Sequence, residues 1–177
     1  MKIVAVLLGA LLLAAPVAAQ DGRPTVSLEP GDAATIRLTP RGDQGSVERG
    51  AARWTAHDLA VARHMVGQPI PDAPVDTAEP IQGDNMPEPT PITPNQIRLS
   101  LHAIAGQHIM LVVENGYDRA IVYRARMSRK GEEQATDVCL VMPGRRSYEH
   151  WPHMMDRLDL SDFRVEEWRE GSPVPCR

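Results

Sequence analysis

The sequence predicts an all-β protein, an antiparallel β-sandwich into which one short helix and a proline-rich strap are inserted. Three observations lead to this class. Apolar and polar residues alternate over short runs, turn-forming dipeptides separate those runs, and the segment 68–94 is crowded with proline. Short alternating strands at regular spacing, bounded by turn residues, are typical of sandwiches and barrels.

The strongest strand pattern lies between Gln96 and Met142. Ile97, Leu99 and Leu101 alternate with polar residues, which indicates a strand with one wet face. Four strands are expected, at residues 97–102, 108–113, 120–127 and 136–142. The turns between them are expected at Ala105-Gly106, Asn115-Gly116 and Lys130-Gly131. Four such strands joined by tight turns predict an antiparallel meander.

The remaining elements are shorter. Strands are expected at residues 26–28, 34–39 and 158–165, a polar loop at 42–50, and an irregular aromatic loop at 148–152. Residues 55–66 form the one clear helix candidate, because apolar residues recur at helical spacing. Thr55 can cap this helix, with Asp58 three residues further on in the position of a capping box.

The segment 68–94 holds eight of the 16 prolines. Proline removes a backbone donor and fixes φ, so this segment is predicted to be an extended linker or strap rather than a helix or central strand. The order of strands, helix, strap, meander and last strand predicts one sandwich domain over residues 20–177, either immunoglobulin-like or cupredoxin-like.

Residues 1–19 have the pattern of a secretory signal peptide. Lys2 precedes an apolar run from Ile3 to Ala15, Pro16 ends the run, and Val17-Ala18-Ala19 supplies small residues for cleavage. The run is about 13 residues long, against roughly 20 for a bilayer span. We therefore expect an exported protein, periplasmic or secreted, without a membrane span.

The charge balance argues against nucleic acid as a partner. The chain has 19 Lys and Arg against 23 Asp and Glu, a formal net charge of −4. A mildly acidic chain is poorly suited to nucleic acids and anionic membrane surfaces.

The two cysteines, Cys139 and Cys176, both follow the predicted signal peptide. In an oxidising compartment such a pair is expected to form a disulfide. The bond would close a loop of about 37 residues and contribute about 2–4 kcal/mol. The alternative is a reactive Cys139 that uses His150 as its base.

A binding surface is predicted at the aromatic stretch near the C-terminus, because irregular loops at a sandwich end often carry binding. Its residues are Tyr148, Glu149, His150, Trp151 and His153. His150 and His153 also lie close to two methionines, and imidazole with thioether suits copper.

A second arrangement of histidine and methionine lies upstream. His64-Met65, Met86 and His108-Ile109-Met110 follow one another along the chain. This order resembles that of the periplasmic copper(I) chaperones, small exported cupredoxin-like β-sandwiches that hold Cu(I) with histidine and methionine. The resemblance implies copper ligands at His64, Met86, His108 and Met110.

The sequence favours a non-enzymatic exported module that binds a partner, with envelope proteins as the expected partners and no cofactor. A periplasmic copper-binding protein is the first alternative. A secreted hydrolase is the second, although no Gly-x-Ser-x-Gly elbow or His-Glu-x-x-His motif is present.

Overall fold

The computed structural model describes residues 25–67, 70 and 86–176. The predicted signal peptide and most of the proline-rich segment lie outside these residues. The described elements are β1 (Val26–Leu28), β2 (Asp32–Leu38), β3 (Gln44–Ala51), α1 (Ala56–Val66), β4 (Ile97–Ile104), β5 (His108–Asn115), β6 (Ala120–Arg129), β7 (Glu132–Thr136), β8 (Arg146–Trp151) and β9 (Arg157–Glu166).

The strands form two antiparallel sheets, so the predicted all-β sandwich class is confirmed. One sheet has four strands in the order β1-β9-β6-β7, and the other has five in the order β3-β2-β4-β5-β8. The main core lies between the sheets and includes Leu28, Leu99, Leu111, Leu158 and Phe163, all buried.

Two smaller apolar clusters lie on the outer faces of the sheets. On the five-stranded sheet, Leu59 and Ala62 of α1 pack with Trp54, Met110 and Val112. On the four-stranded sheet, Ala120, Val122 and Leu140 form a small cluster against which Trp168 packs.

The predicted four-strand meander is wrong, because β5 and β6 belong to different sheets. Neither Asn115 nor Gly116 adopts the positive φ that a two-residue type I′ hairpin requires. Instead the Asn115 side-chain amide donates to the carbonyls of Arg119, Val141 and Met142. The chain therefore crosses from one sheet to the other at this point, and the side chain of Asn115 holds the crossing.

Gly116 is fixed by a close backbone approach. Its N–H donates to the Gln96 carbonyl at 2.8 Å, and its own carbonyl accepts from Asn95 N–H at 2.9 Å. A Cβ at this position would lie 2.0 Å from the Thr93 carbonyl oxygen. The Asn-Gly pair is thus explained by packing of the 93–96 segment and not by a hairpin.

The two other predicted turns are confirmed. Ala105 and Gly106 have φ of 51° and 65° and join β4 to β5. Lys130 and Gly131 have φ of 53° and 81° and join β6 to β7. Both turns therefore use consecutive residues in the left-handed region, as tight hairpins do.

Strands β3 and β8 lie where loops were predicted, and the expected strand at 136–142 is not formed. Residues 44–51 form β3, an edge strand that pairs with β2, although 42–50 was predicted as loop. The expected strand at 136–142 is absent, because β7 ends at Thr136 and the following residues make only single bridges, Ile121 with Val141 and Cys139 with Cys176. Residues 146–151 form β8, although 148–152 was predicted as an irregular loop.

The helix and its cap are confirmed. Thr55 has extended φ and ψ, and its hydroxyl oxygen accepts from Asp58 N–H, while Gly67 ends the helix with φ of 65°. The last strand, β9, is confirmed as well. In the described part of the chain, no helix has the length and apolar character needed to cross a membrane.

Of the proline-rich segment, residue 70 and residues 86–94 are described, and they contain neither helix nor strand. Two contacts attach residues 86–94 to the helix layer. The ring Nδ1 of His57 lies 2.7 Å from the Pro87 carbonyl oxygen. Arg146 donates to both the carbonyl and the hydroxyl of Thr90. Residues 86–94 therefore lie beside α1 and β8.

Candidate functional site

The outer face of β4, β5 and β8 carries the buried polar side chains of Ser100, His102 and Glu114. Strand register sets three rows across this face: His102, Met110 and His150; then Ser100, Val112 and Tyr148; then Arg98, Glu114 and Arg146. Side chains at even positions of these strands share the face because successive residues of a strand point to opposite sides. Helix α1 covers part of this face.

A buried ionic cluster joins this face to the start of α1. The Arg146 guanidinium lies 2.5 Å from Glu114 Oε1 and 3.6 Å from Asp58 Oδ1, and all three side chains are at most 10% exposed. Burial acts against the charge of Arg146, but the hydrogen bond to Glu114 and the charge of Asp58 outweigh it and raise the pKa of Arg146. A buried charge persists where ion pairs and hydrogen bonds compensate its lost hydration.

Asp58 receives two further hydrogen bonds. The Thr55 hydroxyl donates to Oδ2 at 2.6 Å, and the Tyr148 hydroxyl donates to Oδ1 at 2.7 Å. Burial and the neighbouring Asp58 raise the pKa of Tyr148, so its hydroxyl keeps its proton. This cluster fixes the helix N-terminus on β8.

His102 is a buried histidine on the same face. Its ring stacks on Trp54 with centroids 3.8 Å apart, and the residue is 4% exposed. Burial lowers the pKa of His102 from 6.5 to about 4, with Asp58 acting in the opposite direction and Arg98 in the same direction. His102 is therefore neutral at pH 7 and belongs to the packing of the helix layer.

His108 and His150 meet at the edge of this face. His150 Nε2 lies 3.2 Å from His108 Nδ1, and the ring centroids are 5.2 Å apart. Met110 of β5 lies directly opposite His150, and His108 comes two residues before Met110. His108 and His150 are therefore diagonal neighbours in the sheet. Burial, together with the neighbouring His108, lowers the pKa of His150. The pair joins one histidine from each of the two predicted metal arrangements.

The other predicted metal ligands are dispersed. Met110 is fully buried in the helix layer, whereas His64 and Met86 are exposed. His153 Nε2 lies 3.5 Å from Met127 Sδ, on the four-stranded sheet. Among the described residues, no group of three or more histidine, cysteine, aspartate and glutamate side chains could hold a metal ion.

The predicted binding stretch is not a loop but strand β8 and the residues after it. Its side chains alternate between the two faces. Glu149 and Trp151 point to the inner side, where Glu149 accepts from Cys139 N–H and the Trp151 indole donates to Thr136. Burial raises the pKa of Glu149, while the Cys139 N–H opposes this effect. Tyr148 and His150 point to the outer side.

Among the strands that the structure describes, none pairs with the second side of β8, which is the edge strand next to β5. Asn115 N–H donates to Arg145 carbonyl, which places these two residues in a hydrogen-bonded pair. Hydrogen-bonded and non-bonded pairs alternate in an antiparallel ladder. The N–H and carbonyl groups of Arg146, Tyr148 and His150 therefore point away from β5, towards the open edge.

The two cysteines are bonded to each other, with an S–S distance of 1.99 Å. The predicted disulfide is confirmed, and the alternative of Cys139 as a nucleophile is wrong because its sulfur is not a thiol.

Sequence reasoning missed the Asp58, Glu114 and Arg146 cluster. These residues lie far apart in the chain, and each alone has the pattern of an exposed charge. One local signal was present: Asp58 directly precedes Leu59, on the buried side of an amphipathic helix.

No known protein family matches this sequence, and comparison with the curated proteins and with the solved structures gives no match either.

Proposed function

We propose that this protein is an exported, non-enzymatic β-sandwich module that binds an envelope protein by accepting an extended segment of it at the edge of β8. Export is supported by the signal-like residues 1–19 and by the Cys139–Cys176 disulfide. Addition of a strand to an open sheet edge is a common mode of peptide recognition, in which main-chain hydrogen bonds supply affinity.

The observation that carries this proposal is the combination of an open backbone edge and firmly held side chains on β8. On the outer face Arg146 and Tyr148 are bonded to Glu114 and Asp58. On the inner face Glu149 and Trp151 are bonded to Cys139 and Thr136. A strand held on both faces keeps its outward backbone groups in place, which reduces the ordering cost of binding.

The three other edges of the described sheets are less suited to this role. Strand β1 has only three residues. Strand β7 carries Glu132 and Glu133, and β3 carries Glu48 and Arg49, all exposed. Short strands and exposed charges are the usual means by which proteins protect an edge from pairing.

A proline substitution tests the proposal with little damage to the fold. The His150 N–H points to the open edge, so His150→Pro removes one outward donor and leaves the pairing with β5 intact, as edge positions allow. A photo-crosslinking residue in place of the exposed Arg145 reports on contacts beside β8 in the exported compartment. We expect a defined crosslinked product with the parent protein and loss of it with His150→Pro.

His150→Gln is the matched control, because it keeps the backbone donor and should keep the product. Equal crosslinking in the proline and parent proteins would show that the β8 edge is not the binding surface. Replacement of the whole stretch 148–153 is a poorer test, since Trp151 belongs to the core between the sheets.

A further inference from the structure

We propose that His108 and His150 together form a binding site for a divalent first-row transition-metal ion, with Cu²⁺ held more tightly than Zn²⁺. The proposal begins with sheet register. The inner-face pairs Ile109 with Trp151 and Leu111 with Glu149 fix how β8 lies against β5. A slip of one residue would turn His150 to the inner face, so packing of the core also determines the histidine pair.

The distance between the two ring nitrogens fits a shared ion. Two nitrogens that bind a tetrahedral Zn²⁺ ion at about 2.0–2.1 Å lie about 3.3 Å apart. Adjacent nitrogens of a tetragonal Cu²⁺ site lie about 2.8 Å apart, so Cu²⁺ would draw the two rings slightly together. His108 Nδ1 and His150 Nε2 are 3.2 Å apart. The two rings can therefore hold an ion with little rearrangement of either strand.

The two rings can both bind a metal ion without a net loss of a proton. Without metal, one ring donates a hydrogen to the other in the contact between the two nitrogens. On metal binding that ring gives up the bridging hydrogen to water and takes one up at its other nitrogen. Both rings then present a lone pair to the ion and both stay neutral.

The chemistry of the site follows from its two imidazoles. Imidazole suits Cu²⁺, Ni²⁺ and Zn²⁺, and affinity in a given nitrogen site is highest for Cu²⁺. Met110 lies opposite His150 in register, but its side chain is fully buried under α1 and packs in the helix layer. The thioether therefore takes no part, and the site differs from the histidine–methionine Cu(I) arrangement suggested by the sequence.

Both histidines are partly exposed, so water can reach the remaining coordination positions. A site with two protein ligands keeps open positions, as catalytic sites do and closed structural sites do not. The inference goes beyond the proposed binding of a protein segment and does not depend on it.

The site can be tested by calorimetric titration of the full mature protein, prepared without a polyhistidine tag. The protein is titrated first with Cu²⁺ and then with Zn²⁺. We expect one equivalent to bind, and at least a tenfold loss of affinity in His108→Gln and in His150→Gln. His64→Gln, an exposed histidine of α1, and Met110→Leu are the controls and should bind as the parent does.

A second measurement covers the case in which a histidine variant fails to fold. In the parent protein, Cu²⁺ should broaden the nuclear magnetic resonance signals of residues near His108 and His150 before those near His64 or His153. The proposed site is wrong if the parent protein binds no metal, or if both glutamine variants bind it as the parent does. It is also wrong if Met110→Leu loses binding, or if the broadening is centred on other residues. His150→Gln removes a proposed metal ligand but keeps the outward backbone N–H. The proposed metal site and the proposed binding of a partner at the β8 edge can therefore be tested independently.

Discussion

The hydroxyl of Tyr148 on β8 donates a 2.7 Å hydrogen bond to Oδ1 of Asp58 in the first turn of α1, a residue 90 positions earlier in the chain. This bond and the ion pairs of Arg146 attach the helix to the sheet edge on which both proposed sites lie. The stability of that attachment can be measured residue by residue.

Tyr148→Phe should lower the free energy of unfolding by about 1–3 kcal/mol, since it removes a hydrogen bond to a buried carboxylate. Urea denaturation measures the change. The double variant with Asp58→Asn gives the coupling of the two residues. Contacting residues commonly couple by about 0.5–3 kcal/mol. Additive effects of the two changes would show that the bond does not contribute.

Arg146→Met should cost more, about 3–5 kcal/mol, because it leaves the buried carboxylates of Asp58 and Glu114 without their cation. The matched control is Arg37→Met, which removes an exposed ion pair with Glu48. That pair should contribute at most about 1 kcal/mol. Similar losses in the two variants would contradict the burial argument.

Much of the fold could be predicted from local patterns. The capped helix, the last strand and the turns at Ala105-Gly106 and Lys130-Gly131 each depend on residues close together in sequence. The crossing at Asn115-Gly116 could not be predicted, because it depends on carbonyls of 93–96 and 141–142 that come together only in the fold.

The candidate site was harder to predict than the fold. Strand β8 has apolar and polar residues on both faces. Its outer face carries Tyr148 and Arg146, which contact α1, and its inner face includes the polar Glu149. Alternation is therefore lost, and the sequence has the pattern of a loop. His108 and His150 were both recognised as candidate ligands, but only strand register shows that they belong to the same site.

Gly116→Ala should lower stability by about 2–3 kcal/mol, because the new Cβ would lie within 2.0 Å of the Thr93 carbonyl oxygen and the backbone must move. Thermal or urea unfolding measures the loss. Gly50→Ala is the control, since a Cβ there meets nothing within 4 Å. A harmless Gly116→Ala would refute the close approach of residues 93–96.

Removal of the disulfide by the double change Cys139→Ser and Cys176→Ser should cost about 2–4 kcal/mol, as expected for a bond that closes a loop of intermediate length. The two residues are 37 positions apart. Denaturation with and without a reducing agent is the measurement. The parent protein should lose stability on reduction while the serine variant should not respond, and a response of both would point to an effect of the reductant itself.

Acid should destabilise the protein through His102. The pKa of this residue is about 4 when folded and 6.5 when unfolded, because burial penalises its charged form. Above pH 6.5 both states are neutral and the stability is complete. As the pH falls below 6.5, the unfolded chain takes up the proton first, so stability decreases by about 1.4 kcal/mol per pH unit.

By pH 5 the total loss from His102 should reach about 2 kcal/mol. His102→Gln should flatten this part of the stability profile. His150 adds a contribution of the same sign, since its pKa is lowered as well, and His150→Gln measures that share. Equal slopes in the parent and His102→Gln proteins would mean that His102 is not held in a neutral, buried position under Trp54.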